Sequence, residues 1–219
     1  MHNVTVAFAA LLVMLLSYFF GCFNGSFMVS HFIIRDDVRK HGSGNAGLTN
    51  FYRTYGAKYA LLVIACDMGK TVAACLLGSF FFRCLGWDGT LGTLLAGLGC
   101  ELGHIFPVFY GFRGGKGILS GGTLVLLLNW RVAAVAWALF LLLWLTTRYV
   151  SLASITATCS APITVYFVYG HNWLYTGLCL AVAALVVWCH RENIQRLLHG
   201  TEKKFKWHVN PTEGEEPPE

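Results

Sequence analysis

Charge is the scarcest feature of this chain. Only 12% of its 219 residues are Asp, Glu, Lys or Arg, about half the share that a soluble domain carries. Apolar residues make up 56%, so an ordinary soluble fold is excluded and an integral membrane protein is expected. The eight cysteines include no C-x-x-C pair and mostly lie inside apolar runs. They read as small buried hydrophobes, implying neither a disulfide framework nor a metal site. The N-terminus lacks the basic stretch of a cleaved signal, and its apolar run is long enough to span, so it reads as a retained helix. The chain holds no internal repeat and no Walker A spacing, and ATP hydrolysis is not inferred. No cofactor site and no nucleic-acid site is expected. The acidic, proline-containing end, residues 207–219, is expected to be a disordered tail. Residues 1–206 would then form a single multi-span domain.

What is abundant is aromatic and apolar sequence. Aromatics reach 15%, with seven tryptophans, as suits belts at the two membrane interfaces. A spanning helix needs about 20 apolar residues, and candidates run from Val4 to Phe23, Tyr59 to Phe82, Thr90 to Phe109, Leu152 to Tyr169 and Trp173 to Cys189. Between them lies "GILSGGTLVLLLNWRVAAVAWALFLLLWLTT", too long for one ordinary span, with Asn129, Trp130 and Arg131 at its middle. Lys and Arg collect on the cytoplasmic side of membrane proteins. If this stretch is a hairpin, thirteen basic residues share one side and only Arg83 and Arg131 face the other. If it is a single helix, the basic residues divide evenly and Arg131 is stranded in lipid, at a cost of a few kcal/mol. The expectation is therefore an all-α protein of seven transmembrane helices, N-terminus outside and C-terminus cytoplasmic. Its fourth helix, Ile118 to Leu128, is too short to cross alone, so the preceding "FRGGKG" should dip to membrane depth, where irregular backbone survives only inside protein or along a polar cavity.

This topology gathers the polar segments on one face. "HGSGNAGLTNFYRTYG", residues 41 to 56, is rich in glycine amides and hydrogen-bonding side chains. Such amides can form an anion-binding nest, and Arg53 can hold a phosphate bidentately, although a flexible loop with turn glycines accounts for the same composition. In "GHIFPVFYGFRGGKG", residues 103 to 117, Gly114, Gly115 and Gly117 precede an apolar helix, at the positive end of its dipole. Lys116 adds a point charge there, and His104 reads alone as an interfacial or packed histidine. In "CHRENIQRLLHGTEKKF" His190, Asn193 and Arg196 follow one another at i,i+3 and would form a polar stripe facing the bundle. "TTRYVSLASI" places Ser151 and Ser154 near a helix start, where serine often serves only as a cap. Asp67 with Lys70, and Glu101 with His104, are intramembrane pairs that read either as functional groups or as ion pairs fixing the bundle.

Taken together, "GSGNAGLTN", "GHIFPVFYGFRGGKG" and "HRENIQRLLHGTE" resemble the three signature motifs of the PlsY family, the bacterial acyl-phosphate-dependent glycerol-3-phosphate acyltransferases. The likeness keeps their order and spacing and extends to about residue 206. It implies a multi-pass enzyme of the bacterial cytoplasmic membrane that acylates the 1-hydroxyl of sn-glycerol 3-phosphate from acyl-phosphate, releasing lysophosphatidate and phosphate. It implies catalytic roles for Ser43, Arg53, Lys116, His190 and Asn193. Substrate-binding roles fall to Gly44, Asn45, Thr49, Asn50, His104, Gly114, Gly115, Gly117 and Glu202, and to Ser151 or Ser154. No metal, cofactor or obligate protein partner is implied. Leu48, "GILSGG", "GCFN" and "DMGKT" depart from the family's usual residues, which touches helix packing and acyl-chain fit more than phosphate binding.

The expected site lies at the membrane edge, because one substrate is a polar alcohol phosphate and the other carries a bilayer-soluble chain. Its catalysis would rest on holding both reactants and on amides and Lys116 facing the developing oxyanion. The proton of the attacking hydroxyl goes to His190, to His104 or to a phosphate oxygen of the donor, and the last is favoured because no Ser-His-Asp order is evident. "HFIIRD", His31 to Asp36, matches the H-x-x-x-x-D box of a different acyltransferase superfamily by coincidence of two residue types. The alternative function is a membrane transporter or binding protein for organic phosphates.

Overall fold

The computed structural model describes residues 2–206, so the expected acidic tail lies outside the described residues. Within them every regular element is helical. Helix α1 spans His2–Cys22 and stops at Phe23 and Asn24; α2, Gly25–Met28, then runs directly into a π-helical segment, Val29–Ile34. Asn24 makes this break specific. Its side-chain carbonyl accepts from the Phe27 amide, capping α2, and its Nδ2 donates to the Ala46 carbonyl 2.9 Å away. A short amphipathic helix follows, α3 (Leu48–Tyr55), and then α4 (Ala60–Cys84) and α5 (Gly89–Ile105).

The long apolar stretch divides where the hairpin expectation puts it. Helix α6 ends at Leu128 and α7 covers Trp130–Thr147. Asn129 between them is extended, and its side chain caps α7 by accepting from the Arg131 amide at 2.9 Å. The two helices pack together, with Trp137 Nε1 donating to the Gly122 carbonyl at 3.3 Å. Helix α6, Ile118–Leu128, has 11 residues, roughly 16 Å of length, about half of a hydrocarbon core. The chain ends with α8 (Val150–Val168), α9 (Trp173–Cys189) and α10 (Arg191–Leu198), the last turned by 59° from α9. Among the described residues, five helical stretches are long and apolar enough to cross a membrane, and α9 with α10 makes a sixth if the bent pair is one span. The chain is a multi-pass membrane protein, all-helical among the described residues.

Helix α5 is the hub, packed by α1, α4, α6 and α9. It can be central because it is built from small residues. Gly99 and Gly103 form a G-x-x-x-G face on which the backbone of α1 rests, and a Cβ at Gly103 would collide with the Tyr18 carbonyl. The intramembrane charges are a structural fastener. Asp67 and Lys70 pair at 2.8 Å, and Lys70 Nζ also donates to the carbonyls of Gly21 and Phe23. Asp67 accepts from the Gly25 amide, and His104 Nδ1 lies 2.8 Å from Lys70. The cluster ties the α1–α2 break onto α4 and α5. Removing one partner would leave a buried charge unpaired, at a cost of about 3–5 kcal/mol.

Candidate active site

One cavity of about 650 Å³ is lined by α3, α4 and α6 to α10 and by His104 of α5, with the loop before α3 at its mouth. Its polar end is assembled from three chain segments far apart in sequence. Lys116 leaves the loop before α6 and donates to Asn193 Oδ1 on α10. Asn193 Nδ2 in turn donates to Glu202 Oε1 at 2.7 Å. The same carboxylate accepts from Ser151 Oγ and from Arg196 Nε, each at 2.7 Å. Glu202 therefore fixes which way the Asn193 amide points, and so presents its carbonyl to Lys116.

The chain beyond α10 is held over this network as a strap. Phe205 donates its amide to the Arg148 carbonyl at 2.8 Å, and its ring stacks on Tyr52 and meets Trp144 edge-on. Arg53 donates to the Lys203 carbonyl at 3.1 Å. Burial pushes the Lys116 ammonium below its ordinary pKa, and the nearby Arg196 charge pushes the same way against Glu202. Burial alone would raise the Glu202 pKa, but the hydrogen bonds from Ser151, Asn193 and Arg196 outweigh it and hold it below the usual value.

Of the residues expected at the site, Ser43, Asn45, Thr49, Asn50, Arg53, His104, Lys116, Gly117, Ser151, Ser154, His190, Asn193 and Glu202 line this one cavity. Gly44, Gly114 and Gly115 do not, and the expected nest of exposed amides is not formed by them. The Gly114 and Gly115 amides donate to the Ile105 and His104 carbonyls at 3.1 Å, and the Gly44 amide to the His41 carbonyl at 3.0 Å. These glycines fold the loops. A side chain at Gly114 would strike the His104 carbonyl, and one at Gly115 the His104 ring. Gly117 begins α6 with φ +79°, a left-handed conformation that glycine adopts without strain. Glu101 stays behind it, buried against Gly117 and Gly121, and does not reach the cavity.

Asn50 lines the cavity but is used up by its own loop. Its Nδ2 donates to the carbonyls of Val38, His41 and Asn45, and its Oδ1 accepts from the Ser43 amide. His190 ends α9 at the bend, so the expected single helical stripe is divided: Asn193 and Arg196 stand on α10. His190 Nδ1 is 2.8 Å from the Val186 carbonyl, which leaves Nε2 as the ring's other nitrogen. Ser154 Oγ is buried on the cavity wall without a hydrogen-bond partner. His31 is exposed and stacks on Phe27, whereas Asp36 bonds to His41 and Tyr55, so the H-x-x-x-x-D residues do not form a pair.

Sequence reasoning missed the strap's aromatic anchor and the apolar wall. The signal for the first is Phe205, an aromatic set among lysines in "EKKFK". Below the polar end the cavity is lined by Ile64, Leu124, Trp137, Phe140 and Val186, among other apolar residues. A cationic mouth with hydroxyl and amide side chains, continuous with an apolar cavity in a membrane protein, defines a class: it brings a phosphorylated polar ligand to a lipid chain.

Comparisons with known proteins agree. Residues 11–200 match the family model described as glycerol-3-phosphate acyltransferase. The glycerol-3-phosphate acyltransferase of Syntrophomonas wolfei subsp. wolfei is 40% identical over 197 residues, covering 90% of this chain and 96% of the relative. That of Alkaliphilus metalliredigens is 40% identical over 195 residues, covering 89% and 95%. A crystal structure of PlsY, an integral membrane glycerol 3-phosphate acyltransferase, in its glycerol 3-phosphate form superposes with a TM-score of 0.79 at 37% identity, covering 90% of this chain and 96% of that one. Its lysophosphatidic acid form gives 0.77 at 36% identity, covering 90% and 95%. The chain belongs to the glycerol-3-phosphate acyltransferase family, and it is an acyltransferase.

Proposed function

We propose that the protein transfers an acyl group from acyl-phosphate to the 1-hydroxyl of sn-glycerol 3-phosphate, giving lysophosphatidate and phosphate. The observation that carries this reading is the convergence of Arg53, Lys116 and Arg196 on the polar end of a cavity whose other walls are apolar. Three cations with Ser43, Asn45 and Thr49 beside them suit the two phosphates that must meet there. The apolar walls suit the acyl chain. The resemblance of the motifs to an acyl-phosphate-dependent family supports the donor.

In this reading Lys116 with the Ser43 and Asn45 side chains holds the donor phosphate, while Arg53, Asn193 and the unpartnered Ser154 hold glycerol 3-phosphate. The hydroxyl oxygen attacks the acyl carbon, the bond from that carbon to the phosphate oxygen breaks, and the phosphate leaves carrying the hydroxyl proton. Lys116 lies where negative charge develops on the leaving phosphate. His190 Nε2 orients the attacking hydroxyl, and the fixed positions of both reactants supply much of the acceleration.

We infer that the protein lies in the bacterial cytoplasmic membrane as one domain, residues 1–206, crossing seven times with the C-terminus inside. The charge asymmetry of its Lys and Arg residues supports that orientation, and the α6–α7 break at Asn129 supports the count. The test uses purified protein, labelled glycerol 3-phosphate, and palmitoyl-phosphate or palmitoyl-CoA. Labelled lysophosphatidate from palmitoyl-phosphate, lost in Lys116→Ala, is expected. Product from palmitoyl-CoA instead would overturn the donor assignment, and saturable uptake of glycerol 3-phosphate into vesicles without product would overturn the reaction.

A further inference from the structure

Four helices line the cavity down to its far end, and two of them, α8 and α9, run its full depth. On α8 the lining residues descend from Ser151 at the polar end to Ala161, and on α9 from His190 to Cys179. At about 1.5 Å per residue these runs give depths of roughly 15 and 16 Å. On α6 the lining ends at Val125 and on α7 at Ala136. These four terminal residues are not scattered. Val125, Ala136, Ala161 and Cys179 belong to one buried apolar cluster. Val165 and Tyr175 of the same cluster lie a helical turn beyond them, are buried, and do not line the cavity. Tyr175 is backed in turn by Tyr169, whose hydroxyl donates to the Leu128 carbonyl at 2.7 Å. The cavity therefore has a closed floor rather than an open far end.

Resting on the acyl-transfer reading above, we propose that this floor is a chain-length ruler, in which Cys179 and Ala161 set how long an acyl chain the site accepts and Tyr175 is the stop behind them. A depth of about 15 Å equals one leaflet of a bilayer's hydrocarbon core. Donors with chains of that reach fill the cavity down to Cys179. Longer chains must fold back or leave methylenes outside. The floor suits this work because it is made of small side chains backed by large ones. A substitution at Cys179 changes the depth directly, whereas the packing behind it is anchored by the Tyr169 hydrogen bond.

The experiment measures initial rates of labelled lysophosphatidate formation from a series of saturated acyl-phosphates, eight to eighteen carbons long, with the full-length protein. Cys179→Phe raises the floor by about one helical turn, which is about four carbons of extended chain. A depth of about 15 Å holds about twelve carbons, so the rate ratio of twelve-carbon to eight-carbon donor is expected to fall at least about tenfold, since a methylene that no longer fits a buried site costs that much or more. Tyr175→Leu shortens the stop and is expected to move the optimum toward longer chains. Opposite shifts cannot come from misfolding, which would lower all rates together. The ruler is overturned if both variants keep the unaltered protein's chain-length profile, or if both shift it the same way. If the unaltered protein makes no product from any acyl-phosphate, the acyl-transfer reading itself falls.

Discussion

Removing the Glu202 carboxylate tests the idea that this residue acts through Asn193 and Lys116. Three donors converge on it: Ser151 Oγ, Asn193 Nδ2 and Arg196 Nε, each at 2.7 Å. All three bonds end on an ionised carboxylate, and at about 1.5–3 kcal/mol each they give a gross loss of roughly 4.5–9 kcal/mol in Glu202→Ala. Water entering from the cavity mouth replaces most of this, so about 2–3 kcal/mol should remain. If that energy positions the transition state, kcat/KM for glycerol 3-phosphate falls by roughly 30- to 150-fold. Glu202→Gln keeps an acceptor for Ser151 and Asn193 but turns a second donor toward Arg196, and should fall between the two. The assay is labelled lysophosphatidate formation across a glycerol 3-phosphate series, with thermal unfolding followed in parallel. A Glu202→Ala protein that unfolds normally and keeps kcat/KM within threefold would refute the argument, because Asn193 would then hold Lys116 unaided.

The folded pKa of Glu202 is lowered, so its contribution to stability is present above the unfolded glutamate value of about 4.3 and is lost as pH falls through the folded value. Thermal unfolding should show that loss in the unaltered protein and a flatter acid limb in Glu202→Gln; identical limbs would argue against it. Lys116 is lowered as well, so the alkaline limb of the pH–rate profile should fall below the ordinary lysine range, and Lys116→Arg should carry it to higher pH even if the rate is poorer. His190→Ala should lower kcat/KM by about tenfold without deleting a pH–rate limb, since the donor phosphate takes the proton; a vanished limb would make His190 the base. Gly103→Val drives a side chain into the Tyr18 carbonyl of α1. A backbone neighbour yields little, so the cost should reach about 3 kcal/mol, a fall in Tm of roughly 6–12 °C.

The sequence showed different parts of this molecule to different degrees, and the reasons are physical. Spans were legible because a helix in lipid must satisfy every backbone group internally, which leaves long apolar runs as its record. The hairpin was legible because stranding Arg131 in hydrocarbon is expensive, and Asn129 does break the run there. The loop amides were misassigned for a related reason. A glycine-rich segment looks the same whether its N–H groups face a ligand or the protein, and in "FRGGKG" two of them close on the end of α5. Pairing across distance left no local trace at all: Ser151 and Glu202 are 51 positions apart and meet only because α10 turns by 59° after His190. That bend carries the strap back over the cavity mouth. It is why the polar end of the site is built from the last described residues of the chain, and why Phe205, far from any reacting atom, should matter to where Lys116 stands.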